Sequence, residues 1–156
     1  MNVMLHGLDQ IHWSHYAQPT WNAVDEVPSA IRALADGADL DRQRAYNRML
    51  YALGNNHAGT YFPVVLPAIP FFGEILRGPE LVARLRTLDV LIDLVGPFGP
   101  DLEHEEVDSV AGLRSLKAMV QEAVASLSGD VERLHRGPED DEEARLAGEL
   151  LELLRA

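Results

Sequence analysis

Apolar residues recur at helical spacing in blocks that end at glycine or proline, and this pattern constrains the fold most. In the first block, Val27, Ile31 and Leu34 share one face of a helix that starts at Pro28 and ends at Gly37, a residue suited to left-handed backbone. Blocks of the same kind follow at about 40–54, 60–77, 80–95, 107–127 and 139–155. No segment alternates apolar and polar residues as a strand does, so the sequence predicts an all-α protein.

The blocks group into about three antiparallel helix pairs, at residues 27–54, 60–96 and 107–156, after an aromatic-rich lead-in at 1–26. Their spacing is of the order of the ~40–47 residues of a HEAT-type repeat. One pair cannot bury its own apolar face, so the pairs must stack. A chain of 156 residues suits one domain. We therefore predict a single HEAT-like α-solenoid.

The stretch NNHAGTYFPVVLPAIPFFGEIL, residues 55–76, joins two of these helices. Gly59 can adopt the left-handed backbone of a tight turn, and Thr60 is a suitable N-cap for the next helix. Pro67 or Pro70 should kink that helix, because a proline ring clashes with the carbonyl four residues back. We predict that Gly59, Thr60 and Pro70 form a rigid structural joint.

His57 lies in this turn and has two interpretations. With Asn56 and Tyr61 it could form the site of a small enzyme, but a general base needs a partner and a substrate, and the sequence shows neither. Alternatively, its ring hydrogen-bonds the backbone of the turn, which is the interpretation we favour. The chain has no motif for a nucleophile, phosphate or dinucleotide site. We predict no enzyme, no catalytic residue and no cofactor.

Charge and composition narrow the range of partners. The net charge is −12, and residues 79–156 alone carry −10. Such a chain is not expected to bind nucleic acid or an anionic membrane. It has no cysteine, which excludes disulfides and cysteine-ligated zinc. With no membrane span and no signal-peptide pattern at residues 1–7, the expected location is the cytoplasm.

Three further groups of polar residues could bind a ligand or simply face water. His12 and His15 could share a metal, but no third ligand is near, so we predict no metal site. Asp89 and Asp93 are four residues apart on one helix, where they form half of a carboxylate pair or face water. An acidic loop follows at 101–108. The residues assigned to partner binding are Asn56, His57, Tyr61, Asp89, Asp93, Glu103, Glu105 and Glu106.

The first half of the chain, residues 12–77, resembles a family of small bacterial HEAT-repeat-like proteins of the actinobacterial and myxobacterial type. The family pattern has an aromatic-rich start, an acidic residue with Val-Pro entering a helix, an Asn-rich His-x-Gly-Thr turn and a helix containing Pro-Phe. The matching residues are Trp13, Tyr16, Asp25, Val27, Pro28, Leu34, Leu53, Asn55, His57, Gly59, Thr60, Ala68, Pro70 and Phe71. Ala58 stands where the family often has Gln. The resemblance implies an α-solenoid with a binding role, often in toxin–immunity settings.

The function predicted from these observations is that of a protein-binding module. The most specific hypothesis is an immunity protein that neutralises a basic toxin domain through its acidic surface, since complementary fields speed encounter. A structural adaptor or homo-oligomeric scaffold is the alternative beside the enzyme. The sequence does not predict the oligomeric state.

Overall fold

Seven α-helices and two small two-stranded sheets make up the part of the chain that the computed structural model describes, residues 5–156. The start of the predicted lead-in and most of the segment examined for a signal peptide lie outside these residues. The helices are α1 (Glu26–Ala35), α2 (Arg42–Leu53), α3 (Val65–Leu76), α4 (Leu81–Val95), α5 (Leu116–Ala125), α6 (Ser128–Arg136) and α7 (Asp141–Arg155). The strands are β1 (Thr60–Tyr61), β2 (Gly99–Pro100), β3 (Glu106–Ser109) and β4 (Gly112–Ser115). The mostly helical fold is confirmed.

Helix α4 lies at the centre of the fold. It packs against α1, α2, α3, α5 and α7, and residues 83–88 are buried without interruption. Successive helices also pack on each other, α1 on α2, α3 on α4 and α6 on α7. Further contacts join α2 to α4 and α4 to α7, and join α1 to α3 and α3 to α5. No helix in residues 5–156 combines the length and apolarity needed to cross a membrane.

Two buried arginines of α4 form hydrogen bonds to neighbouring elements on opposite sides of the helix. Arg86 is fully buried and donates hydrogen bonds to the backbone carbonyls of Leu34 (2.7 Å), Asp36 and Asp41 (3.3 Å), at the end of α1 and the start of α2. Arg84 donates to the buried Glu143 of α7, with 2.6 Å between Nε and Oε2. Each charge is therefore surrounded by acceptors, as burial requires.

The lead-in packs its tryptophans against different helices. Trp13 is buried with its ring centroid 6.1 Å from that of Phe71 in α3. Trp21 stays half-exposed, stacks on Tyr51 of α2 at 4.9 Å and donates from Nε1 to the Tyr51 carbonyl. The lead-in thus contacts both α2 and α3.

The prediction of one helix over residues 107–127 is wrong. Residues 106–115 form an antiparallel hairpin, in which Val107 pairs with Arg114 and Ser109 with Gly112. Gly112 has a φ of 95°, a left-handed conformation that ends any helix there. Helix α5 begins only after Ser115, whose hydroxyl caps it by accepting from the amide of Ala118 at 3.1 Å.

Thr60 does not cap α3, contrary to prediction. It lies in β1, which pairs in parallel with β2, and its amide donates to the Asn55 carbonyl at 3.0 Å. Helix α3 begins at Val65 and runs without interruption past Pro70 to Leu76. Gly59 does adopt the predicted left-handed backbone, with a φ of 72°. A backbone pairing between two loops, rather than a helix cap, therefore connects this stretch to the residues after α4.

Two further helix ends differ from prediction. Gly37 follows α1 without a left-handed conformation, and a Cβ at this position would lie 2.4 Å from Cγ of Glu80. A side chain at this position would therefore require the Glu80 side chain to shift. Helix α1 begins at Glu26 rather than at the predicted Pro28.

Candidate functional site

A pocket of about 450 Å³ opens between α2, α4 and α7. Each of these helices contributes two polar side chains four residues apart, which places both on one face. The pairs are Arg42 and Tyr46 from α2, Asp89 and Asp93 from α4, and Arg145 and Glu149 from α7; Gln43, Ile92 and Leu146 complete the lining. The pocket therefore depends on the register of three helices that are far apart in sequence.

Ion pairs engage both arginines of the pocket. Nε of Arg42 lies 2.8 Å from Oδ2 of Asp89, and Nη2 of Arg42 lies 3.7 Å from Oε1 of Glu142 at the edge. Arg145 pairs with Glu142 and, at 3.5 Å, with Glu149. The Arg42–Asp89 pair is the most sheltered of these, so it is screened least by salt.

Asp93 differs from the other carboxylates of the pocket. Its Oδ2 accepts a hydrogen bond from the phenol of Tyr46. Burial raises the pKa of the Asp93 carboxyl, and the negative charges of Asp89 and Glu149 raise it further, against the lowering effect of the Tyr46 bond. Burial and the contact with Asp93 likewise raise the pKa of Tyr46. The phenol thus stays protonated and keeps its role as donor.

The sequence identified only part of this site. Asp89 and Asp93 were predicted as a like-charged pair, and the structure brings both into the pocket. Arg42 and Tyr46 were not identified from the sequence, although both lie beside the buried apolar face of α2. The available signal was a tyrosine and an arginine spaced four residues apart at the edge of that apolar face.

The predicted residues of the α2–β1 turn lie at a different place. Asn56 and His57 line a shallow pocket with Asn47, Arg48 and Tyr51. The backbone amide of His57, rather than its ring, makes the local hydrogen bond, donating to Asn55 Oδ1 at 3.1 Å. This differs from the expectation for the ring, because the short Asn55 side chain closes the turn itself.

Tyr61 and the acidic loop are also separate from the α2–α4–α7 pocket. The Tyr61 side chain is 1% exposed, and burial raises its pKa to about 12. Glu103 lines a third pocket beside Trp21. Glu105 and Glu106 are exposed where the hairpin begins. The structure therefore does not gather the predicted partner-binding residues into one surface.

Within residues 5–156 no group of three or more histidine, aspartate or glutamate side chains is arranged to hold a metal ion. Comparisons with protein-family models, with curated proteins and with solved structures found no match.

Proposed function

We propose that this chain is a protein-binding module that recognises a basic protein partner at the face formed by α2, α4 and α7. The specific case is an immunity protein that neutralises a basic toxin domain. The observation that carries the proposal is the α2–α4–α7 pocket, where the carboxylates of Asp89 and Asp93 on α4 meet that of Glu149 on α7. A basic side chain is the complementary group.

The helix contacts support a solenoid-like arrangement for this face. Helices α2, α4 and α7 contact one another in series, and so do α1, α3 and α5. That pattern is expected when three helix pairs stack into two layers, as in a HEAT-like solenoid. One layer of such a stack is an extended surface suited to binding another protein.

The distribution of charge supports a basic partner. Residues 79–156, which include α4 and α7, carry eighteen acidic and eight basic side chains. A field of this sign speeds the approach of a basic domain and suppresses acidic competitors. Neutralisation of a toxin benefits from such rapid association, and we place it in the cytoplasm, where the toxin would act.

The experiment uses the full chain as bait in an extract of its native host, followed by calorimetry with the purified partner. We expect a basic toxin domain, bound with an affinity that falls on the order of tenfold between low and high ionic strength. The double variant Asp89→Asn/Asp93→Asn should lose the partner. The exposed Glu132→Gln serves as a charge-removing control on α6 and should retain it. A neutral or acidic partner whose affinity ignores salt would refute the proposal.

A homo-oligomeric scaffold is favoured by one separate observation. Val110 and Leu113, at the tip of the hairpin, are 112% and 65% exposed. Exposed apolar side chains on a strand edge can pair with a second copy. Light scattering during size-exclusion chromatography distinguishes this function, since a monomer at all concentrations would exclude it.

A further inference from the structure

Asp93 is the one pocket carboxylate without a cationic partner among the described residues. Asp89 pairs with Arg42, whereas Glu142 and Glu149 pair with Arg145. The partner of Asp93 is the neutral phenol of Tyr46, which occupies Oδ2. Its other oxygen, Oδ1, accepts no hydrogen bond from the described chain and is not fully buried.

The surroundings of Asp93 suit an alkyl chain that ends in a positive charge. Ile92 and Leu146, both almost fully buried, give the pocket an apolar lining. The ring of Tyr46 is a surface on which a cation can lie. The volume of about 450 Å³ falls within the range of sites that hold small ligands.

The two arginines of the pocket do not cancel this preference. Arg42 and Arg145 are engaged by Asp89, Glu142 and Glu149. With Asp93 ionised, four carboxylates face two guanidiniums, so the pocket remains negative. The raised pKa of Asp93 has the same physical cause, since burial and neighbouring negative charges oppose its ionisation.

We infer that the α2–α4–α7 pocket binds one organic cation, a guanidinium or primary ammonium, with Asp93 Oδ1 as the anchoring acceptor. This inference rests on the proposed function for its preferred source, an arginine or lysine side chain of the partner protein. A free polyamine has the same chemistry and is the other source.

In the test, capped single amino acids are titrated into the full chain. Binding is measured from the backbone amide chemical shifts of the protein by nuclear magnetic resonance. The probes are N-acetylarginine methylamide and N-acetyllysine methylamide, with the citrulline analogue as an uncharged match for arginine. We expect saturable shifts in α2, α4 and α7 with the cations and none with citrulline. The dissociation constant for so small a ligand should be on the order of 1 mM. Spermidine tests the free polyamine.

Variants then assign the anchor. Asp93→Asn should weaken binding of the arginine probe about tenfold or more, because it removes one charge-assisted hydrogen bond. Glu132→Gln, which removes an equal charge outside the pocket, should leave the affinity unchanged. Equal weakening by Asp93→Asn and Glu132→Gln would overturn the inference, because it would indicate diffuse attraction.

The outcomes separate this inference from the proposed function. A basic partner whose affinity is unaffected by Asp93→Asn would refute the pocket anchor and leave the binding module intact. Cation binding at Asp93 without a basic protein partner would refute the module and retain the anchor. Spermidine binding much more tightly than both capped residues would identify a free polyamine as the source.

Discussion

Asp93 illustrates at the scale of one residue how a binding group can lower stability. Its carboxyl pKa is raised by burial and by Asp89 and Glu149, so the folded state holds a proton more tightly than the unfolded state does. Above the raised pKa the ionised group therefore lowers the free energy of unfolding, and this cost disappears as the pH falls through that pKa. The charged groups facing Asp93 are Arg42 from α2, Asp89 from its own helix, and Arg145 and Glu149 from α7, and the titratable phenol of Tyr46 faces it in neutral form.

We predict that Asp93→Asn is more stable than the natural chain at neutral pH and loses this advantage as the pH falls. The amide keeps an acceptor for Tyr46 and carries no charge. Urea unfolding of both proteins at several pH values measures the difference in their free energies of unfolding. The contributions of the other titrating groups are the same in both proteins and cancel in this difference. The prediction would be contradicted if the variant were less stable than the natural chain at neutral pH, or if the difference in stability did not change with pH.

Arg86 is the residue on which the packing of α4 depends most. Its fully buried guanidinium donates to three backbone carbonyls, those of Leu34, Asp36 and Asp41. Arg86→Met should lower the free energy of unfolding by about 2–4 kcal/mol, since it leaves the buried Leu34 carbonyl and two partly buried carbonyls without their donor. Arg32→Met is the control, because Arg32 is half-exposed and, within residues 5–156, pairs only with exposed Asp9; it should cost about 1 kcal/mol or less. The free energies of unfolding are measured by urea unfolding. If both variants lose the same amount, the buried hydrogen bonds of Arg86 contribute no more to stability than the exposed ion pair of Arg32 does.

At the scale of elements, the loop between α2 and α3 is joined to the loop after α4. The amide of Gly99 donates to the Gly59 carbonyl at 3.0 Å, and that of Asp101 donates to the Tyr61 carbonyl at 2.8 Å. A Cβ on Gly54 would lie 2.1 Å from the Thr60 carbonyl oxygen. The close approach of two backbones, rather than a threonine cap, therefore holds the joint together.

Glycine-to-alanine substitutions test this joint. Gly59→Ala should cost about 1–3 kcal/mol, because alanine resists a φ of 72°. Gly129→Ala, in α6 with open space around the added methyl, should be neutral or stabilise by up to about 1 kcal/mol. Thermal and urea unfolding compare the two. A neutral Gly59→Ala would mean that the loop rearranges without loss.

The elements that the sequence predicted well are those with long apolar periodicity. Helix α2 starts after Asp41, whose carboxylate accepts from the amide of Arg44 at 3.0 Å, and α7 starts after Asp140 in the same way. The hairpin was missed because strands of four residues give too few alternations to outweigh helical spacing. The α2–α4–α7 pocket was found only through Asp89 and Asp93, because sequence spacing shows which residues share a helix face but not which faces meet.

At the scale of the whole molecule, the charge of −12 gives salt opposite effects on folding and on binding. Like charges repel most in the compact state, so added salt screens that repulsion and should stabilise the free chain. The same screening weakens attraction to a basic partner.

We therefore predict that the thermal midpoint of the free chain rises with sodium chloride while its affinity for a basic partner falls in the same buffers. Glu132→Gln should slightly reduce the rise of the thermal midpoint with salt, because it removes one repelling charge. Asp93→Asn should reduce the loss of affinity with salt more than Glu132→Gln does, if recognition is centred on the α2–α4–α7 pocket. Calorimetric unfolding and titration over one salt series measure both slopes. Parallel changes, with stability and affinity both rising or both falling, would show that screening of the net charge does not govern this protein.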